Sequence, residues 1–238
     1  MILIKKNNLM KKFYLKLLRY YERESNKSED RIVLKFLTKE NDRNQQKKYI
    51  EIGSGLGRFV KIVHHLFNYN IQAVEINKDL AEQTNNLKIH TLNINFLENH
   101  FDSNHFDIVH CSHVIEHIPY PDVIAFLDEL IRITKPNGYI IIRSPLMSIE
   151  FYTSIDHIRP YPPKAILDYY SNPQQQRVGK YTVLPVKIKL RRSPLLVSGY
   201  SYNPMIRAIN MFFKLSWCLF RFPFSKPDGY VIILRKQV

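Results

Sequence analysis

Three of the seven glycines stand at positions 53, 55 and 57, between the apolar run Lys48–Ile52 and the helix-patterned stretch Leu56–Phe67. Glycines at i, i+2 and i+4 let a chain turn sharply, and let its backbone approach a ligand without Cβ interference. A strand that feeds such a bend and then a helix is the opening unit of a parallel α/β sheet. The pattern continues downstream. Ile71–Ile76, Leu87–Leu92, Phe106–Cys111 and Tyr139–Arg143 are short apolar runs of strand length. Asp79–Asn86 and Pro121–Ile133 between them read as helices, the second ending before the breaker Lys135-Pro-Asn-Gly138. Strands apolar on both faces are those covered by helices on both sides. The expected class is therefore α/β, with a doubly wound, mostly parallel sheet.

The flanks fill out the expectation. Residues 9–38 read as one or two helices with a polar break near Ser25–Ser28, and Lys164–Tyr170 as a helix. Tyr181–Arg191 alternates Val186, Ile188 and Leu190 with Lys187, Lys189 and Arg191, a strand with one wet face, and Tyr230–Leu234 is a last apolar strand. The domain reading is a helical extension over residues 1–45 and one α/β domain over 46–238. Within that domain, 192–228 form a basic, apolar insert before the last strand. Only Cys111 and Cys218 occur, far apart and without ligand spacing, so neither a disulfide framework nor a metal site is expected.

The bend also speaks to a cofactor. Dinucleotide-binding turns read G-x-G-x-x-G, leaving room for a pyrophosphate at the helix N-terminus. In Glu51-Ile-Gly-Ser-Gly-Leu-Gly57 the third glycine arrives one residue early, and an acid precedes the first. That acid would repel pyrophosphate and suits a cation, such as the sulfonium of S-adenosylmethionine (SAM). Glu75 ends the next apolar run eighteen residues after Gly57, close to the ~20-residue spacing of a ribose-binding acid.

With these residues the chain resembles the class I SAM-dependent methyltransferases, within the broad group acting on small molecules, lipids and sugars. Three further stretches carry the resemblance: His105–Ile118, Ile133–Tyr139 and Asp156-His-Ile-Arg-Pro-Tyr161. It spans roughly residues 45–170 and implies a Rossmann-like, seven-stranded sheet. It also implies SAM as methyl donor, with S-adenosylhomocysteine as product. By the same resemblance Glu51 and Gly53 face the methionine part of SAM. Ser54, Gly55 and Gly57 shape the loop, Glu75 and Ile76 meet the ribose, and Asn95 and Phe96 meet the adenine. Cys111 and Ser112, ending the fourth strand, complete the cofactor set.

Methyl transfer from a sulfonium chiefly needs the nucleophile held in line with the methyl, about 3–3.5 Å away. A hydroxyl acceptor also benefits from a base. His113 and His157, at the ends of the fourth and fifth strands, are the expected catalytic candidates, with Glu116 and His117 read as loop-stabilising. The place after the fourth strand reads His110-Cys-Ser-His113 rather than the Asn/Asp-Pro-Pro-aromatic loop of amino-methylating relatives. An oxygen acceptor on a sugar, a lipid-linked glycan or another amphiphile is therefore expected, with an RNA methyltransferase or a catalytically inactive SAM-binding interaction protein as the alternatives.

Charge bears on partners. The formal net charge is +14. Residues 1–20 hold six basic side chains and no acid, and Arg177–Lys226 hold ten and no acid. Met205–Phe224 is mostly apolar, with Arg207, Lys214 and Arg221 spaced by seven. A helix of that pattern suits an anionic membrane interface; a cap over the active site and an RNA contact are the competing readings. No secretory leader or 18-residue apolar span is legible. The expectation is a cytoplasmic protein, with peripheral contact at the inner face of a membrane left open beside the cap and RNA readings.

Overall fold

The computed structural model describes residues 2–40, 47–67, 70–148, 150–171, 180–197, 202–221 and 224–237. The apolar runs become strands β1 (Tyr49–Ile52), β2 (Ile71–Val74), β3 (His90–Leu92), β4 (Phe106–Ser112), β5 (Thr134–Pro145), β6 (Val183–Pro194) and β7 (Ser225–Lys236). They form one seven-stranded sheet in the order β3-β2-β1-β4-β5-β7-β6. Strands β1 to β5 pair in parallel, and β7 runs antiparallel between β5 and β6. The chain order reverses between β1 and β4, so the crevice for a ligand opens there, beyond the carboxyl ends of the strands.

Helices α2 (Arg58–Val63), α3 (Lys78–Asn85), α4 (Asp122–Ile133) and α5 (Pro163–Ser171) follow the strands in alternation. Alternate residues of each strand feed the two faces. Ile50, Ile52, Val109, Cys111, Ile140 and Ile142 pack under α4 and α5. Tyr49, Ala73, Ile108, Ile141, Val231 and Ile233 pack on the other face against α2 and α1 (Ile2–Glu40).

Helix α1 runs unbroken through the expected Ser25–Ser28 break. Its polar residues serve tertiary contacts rather than a helix end: Glu29 and Asp30 are buried, and Val33 and Leu37 enter the core. The side chains of Lys5, Lys6, Lys11 and Lys12 lie outside the described ones. At Lys135-Pro-Asn-Gly138 the helix stops as expected, yet β5 already begins at Thr134. A register shift between Phe106 and Ile108 absorbs the excursion. Gly138 is required there, since a Cβ would stand 2.9 Å from the carbonyl oxygens of Asp107 and Lys135.

Helix α6 (Pro204–Phe220) joins the end of β6 to the start of β7. Pro145, the last residue of β5, pairs with Gly229, and β6 and β7 run on past it to the pair Pro194–Ser225, so α6 lies on the side of the sheet where the parallel strands end. Residues 198–201 and 222–223 of the 192–228 insert lie outside the described residues.

Candidate active site

The loop after β1 is shaped by three positive φ angles, at Gly53 (74°), Gly55 (53°) and Gly57 (69°). The glycines answer different needs. A Cβ at Gly53 would fall 2.3 Å from Val114 Cγ2, and one at Gly57 would fall 2.9 Å from the Thr84 side chain. A Cβ at Gly55 would meet nothing within 4 Å. Gly53 and Gly57 let the loop pack on its neighbours, whereas Gly55 borders open space.

That space is a cavity of about 660 Å³ beyond β1, β2 and β4, within the range of small-molecule and cofactor sites. Gly53, Gly55, Glu75, Ile76, Asn95, Phe96 and His113 line it, with Val114, His117, Asp122 and Asp156. Glu75 is held rigidly: Gly55 N–H donates to its Oε2 (2.7 Å) and Asn77 N–H to its Oε1 (3.0 Å). A carboxylate has about four acceptor positions, so two remain for a pair of vicinal hydroxyls. Asn95 Oδ1 accepts from Leu97 N–H (3.2 Å), capping the short turn Phe96–Glu98. The amide expected to meet an adenine amine is thus partly committed to the chain.

The remaining expected cofactor residues stand elsewhere. Ser54, Gly57, Cys111 and Ser112 are not among the lining residues. Cys111 is buried in the core, where burial pushes its thiol well up. Glu51 departs furthest from expectation. It faces away from the cavity into the core, 3% exposed, with Oε1 3.5 Å from His110 Nδ1. Burial pushes its carboxyl up to about 8, against the pull of Arg143 and Arg58. Near neutral pH this group is uncharged, so the wall of the cavity has no negative lip from Glu51.

Beneath the loop lies a buried polar network. Arg143 Nε donates to His110 Nε2 (3.0 Å). Because arginine cannot accept, His110 carries its proton on Nδ1, which lies 2.7 Å from Tyr49 Oη. Burial and Arg143 hold His110 well below its ordinary pKa, hence neutral. Arg143 Nη1 donates to Asp30 Oδ1 (2.8 Å), and Arg58 pairs with the same carboxylate. Helix α1 is thereby bolted to the sheet beside the glycine loop.

His113 lines the cavity in a left-handed conformation (φ 56°). Its Nε2 lies 3.3 Å from Glu29 Oε2 and its Nδ1 3.3 Å from Glu116 Oε1. Burial works to lower its pKa, but the two carboxylates prevail and raise it to about 8. With both nitrogens facing carboxylates, the ring of this catalytic candidate is held in one orientation in the cavity wall. His157 does not line the cavity; its Nδ1–H donates to Phe151 O (2.8 Å). Glu29 escaped the sequence reading because no local motif marks a carboxylate that arrives from a distant helix. His117 and Asp156 carried a signal, their place after β4 and β5.

The residues fit SAM, whose bound form supplies an activated methyl: a rigid ribose-type carboxylate, an open glycine edge and a cavity of suitable size. The family model described as "Methyltransferase domain" matches residues 19–178, more than half of the chain. The chain belongs to the SAM-dependent methyltransferases. Solved structures agree on the fold. A SAM-dependent methyltransferase from Archaeoglobus fulgidus is 23% identical over 80% of this chain and 86% of that one, with a TM-score of 0.56. Geranyl diphosphate C-methyltransferase from Streptomyces coelicolor, solved with Mg2+, geranyl diphosphate and S-adenosyl-L-homocysteine, is 13% identical over 81% and 71%, TM-score 0.53. N-methyltransferase NodS from Bradyrhizobium japonicum is 10% identical over 81% and 86%, TM-score 0.53. No curated protein matches the chain. This methyltransferase uses SAM as cofactor, and among its described residues no helix is long and apolar enough to cross a membrane.

Proposed function

We propose that this methyltransferase transfers the methyl group to an oxygen of an amphiphilic acceptor, such as a lipid-linked sugar, presented at an anionic membrane surface. The observation that carries the reading is helix α6. One exposed stripe is apolar, formed by Met205, Ile209, Phe212, Leu219 and Phe220, while Arg207 and Arg221 are exposed off that stripe and only Met211 is buried. Phe224 and Tyr202, at its ends, are exposed too. Exposed apolar stripes of this kind mark membrane or protein contacts. Helix α6 joins β6 and β7 on the side of the sheet where β5 ends, the side on which the cavity opens. The net charge of +14, with no acid between Arg177 and Lys226, favours anionic headgroups.

In this reading the chain's own residues orient rather than ionise. Glu75 and the glycine loop fix the donor, and the His113–Glu29–Glu116 cluster holds the acceptor-side wall. Two measurements test the reading. With labelled SAM and separate membrane, RNA and small-metabolite extracts, label is expected in the membrane fraction; label in RNA alone would overturn it. Flotation with anionic vesicles is expected to recover the protein. Phe212→Asp with Leu219→Asp should abolish flotation while leaving cofactor binding intact.

A further inference from the structure

We propose that Glu116, His117 and His157 form a divalent-cation site beside the cofactor cavity, one that takes an acceptor through adjacent oxygen donors. One potential ligand atom from each of the three residues lies within 4.8 Å of the other two. Two imidazoles and one carboxylate are a donor set for Zn2+, Mn2+, Co2+ or Fe2+ that leaves coordination positions open.

The surroundings prepare these groups as ligands. Backbone carbonyls only accept, so the contacts of His117 Nδ1 with Asp156 O (3.0 Å) and of His157 Nδ1 with Phe151 O (2.8 Å) place the proton on Nδ1 of both rings. In the neutral ring that tautomer leaves the lone pair on Nε2. A second ring nitrogen tied to a carbonyl is the usual support of a metal-binding histidine. Glu116 is fully buried. Its Oε2 accepts from Ser144 Oγ (3.1 Å), whereas its Oε1 accepts no hydrogen bond. His113 Nδ1 lies 3.3 Å from that Oε1, and His113 Nε2 lies 3.3 Å from a second carboxylate, Glu29. A cation can therefore draw Glu116 without stranding His113.

Two chain segments build the site and are pinned together. Ile158 N–H (2.8 Å) and Arg159 N–H (3.3 Å) both donate to the Glu116 carbonyl. This holds the His157 loop against the loop after β4. His117 and Asp156 also line the cavity, so a cation here lies against the space the acceptor enters. It would polarise a hydroxyl oxygen and ease loss of its proton to solvent. The use made of the cation rests on the oxygen-acceptor reading; its binding does not.

The test uses chelator-stripped full-length protein, titrated with Co2+ by visible absorption and with Zn2+ by calorimetry, without acceptor or vesicles. One equivalent should bind with the visible bands of a nitrogen- and oxygen-ligated cobalt ion. His117→Ala and His157→Ala should each weaken binding at least ~10-fold, while His105→Ala should not. S-adenosylhomocysteine binding retained by His157→Ala would show that the fold stands. Absence of Co2+ binding at millimolar concentration, or binding unchanged in both variants, would overturn the site and leave the oxygen-acceptor reading standing. Label in RNA alone with the metal bound would do the reverse.

Discussion

Replacing Glu51 by glutamine keeps the volume of the side chain and removes its ability to ionise. The carboxyl is pushed from 4.5 up to about 8 by burial, against the pull of Arg143 and Arg58. The folded protein therefore holds a proton that the unfolded chain releases above about pH 4.5. A pKa raised on folding gives stability that is fully present below the unfolded value and lost as pH rises through the folded one. Between those limits the slope approaches ~1.4 kcal/mol per pH unit. From pH 5.5 to 7.5 the loss is roughly 3 kcal/mol, and about 6–12 °C in Tm for a domain of this size. His113 adds a loss in the same sense and His110 an opposing gain, but both remain in the variant. The difference between the two proteins isolates Glu51. Urea unfolding of each, across that range, should give a curve for Glu51→Gln that is flatter by about 3 kcal/mol and higher at pH 7.5. Parallel curves would show that Glu51 is ionised in the folded state and would refute the assignment of a buried proton to it.

Arg143→Met should cost about 3–5 kcal/mol in urea unfolding, because it strips a buried partner from Asp30 and His110 in a site 1% exposed. Gly53→Ala should cost about 1–3 kcal/mol and weaken S-adenosylhomocysteine binding by calorimetry, since its Cβ would displace Val114, a wall residue. Glu75→Gln keeps the shape but loses charge-assisted bonds from Gly55 and Asn77. Its affinity for S-adenosylhomocysteine should fall by roughly 1.5–3 kcal/mol.

Much of the fold is legible in the sequence because its signals are local. The strand–glycine–helix unit, the Asp122–Ile133 helix and the apolar strands each carry their own periodicity. Where the reading departs from the structure, a distant partner decides. Ser25–Ser28 reads as a break, yet α1 continues because Glu29 and Asp30 find Arg191, Arg143 and Arg58 across the chain. Glu51 reads as a cavity acid, yet strand alternation turns it with Tyr49 toward α2, away from the face of Ile50 and Ile52. The alternation of β6 is legible, but its apolar side is not covered: Ile188 and Leu190 lie beside Ile232 and Tyr230 and remain exposed at the sheet edge. Within the site, Gly53, Gly55 and Glu75 are legible through spacing. The pairing of His113 with Glu29 is not, since 84 residues separate them.

The most direct measurement is a calorimetric titration of S-adenosylhomocysteine into the wild type and Gly55→Ala. Alanine at φ 53° costs roughly 1–2 kcal/mol and meets no protein atom within 4 Å, so the variant should fold. Its methyl group stands at the cavity wall, and overpacking by about 1–3 kcal/mol predicts a loss of roughly 5- to 150-fold in affinity from a wild type that binds one equivalent. A wild type indifferent to the nucleoside, or a variant that binds it equally well, would mean that this cavity is not where the methyl donor sits.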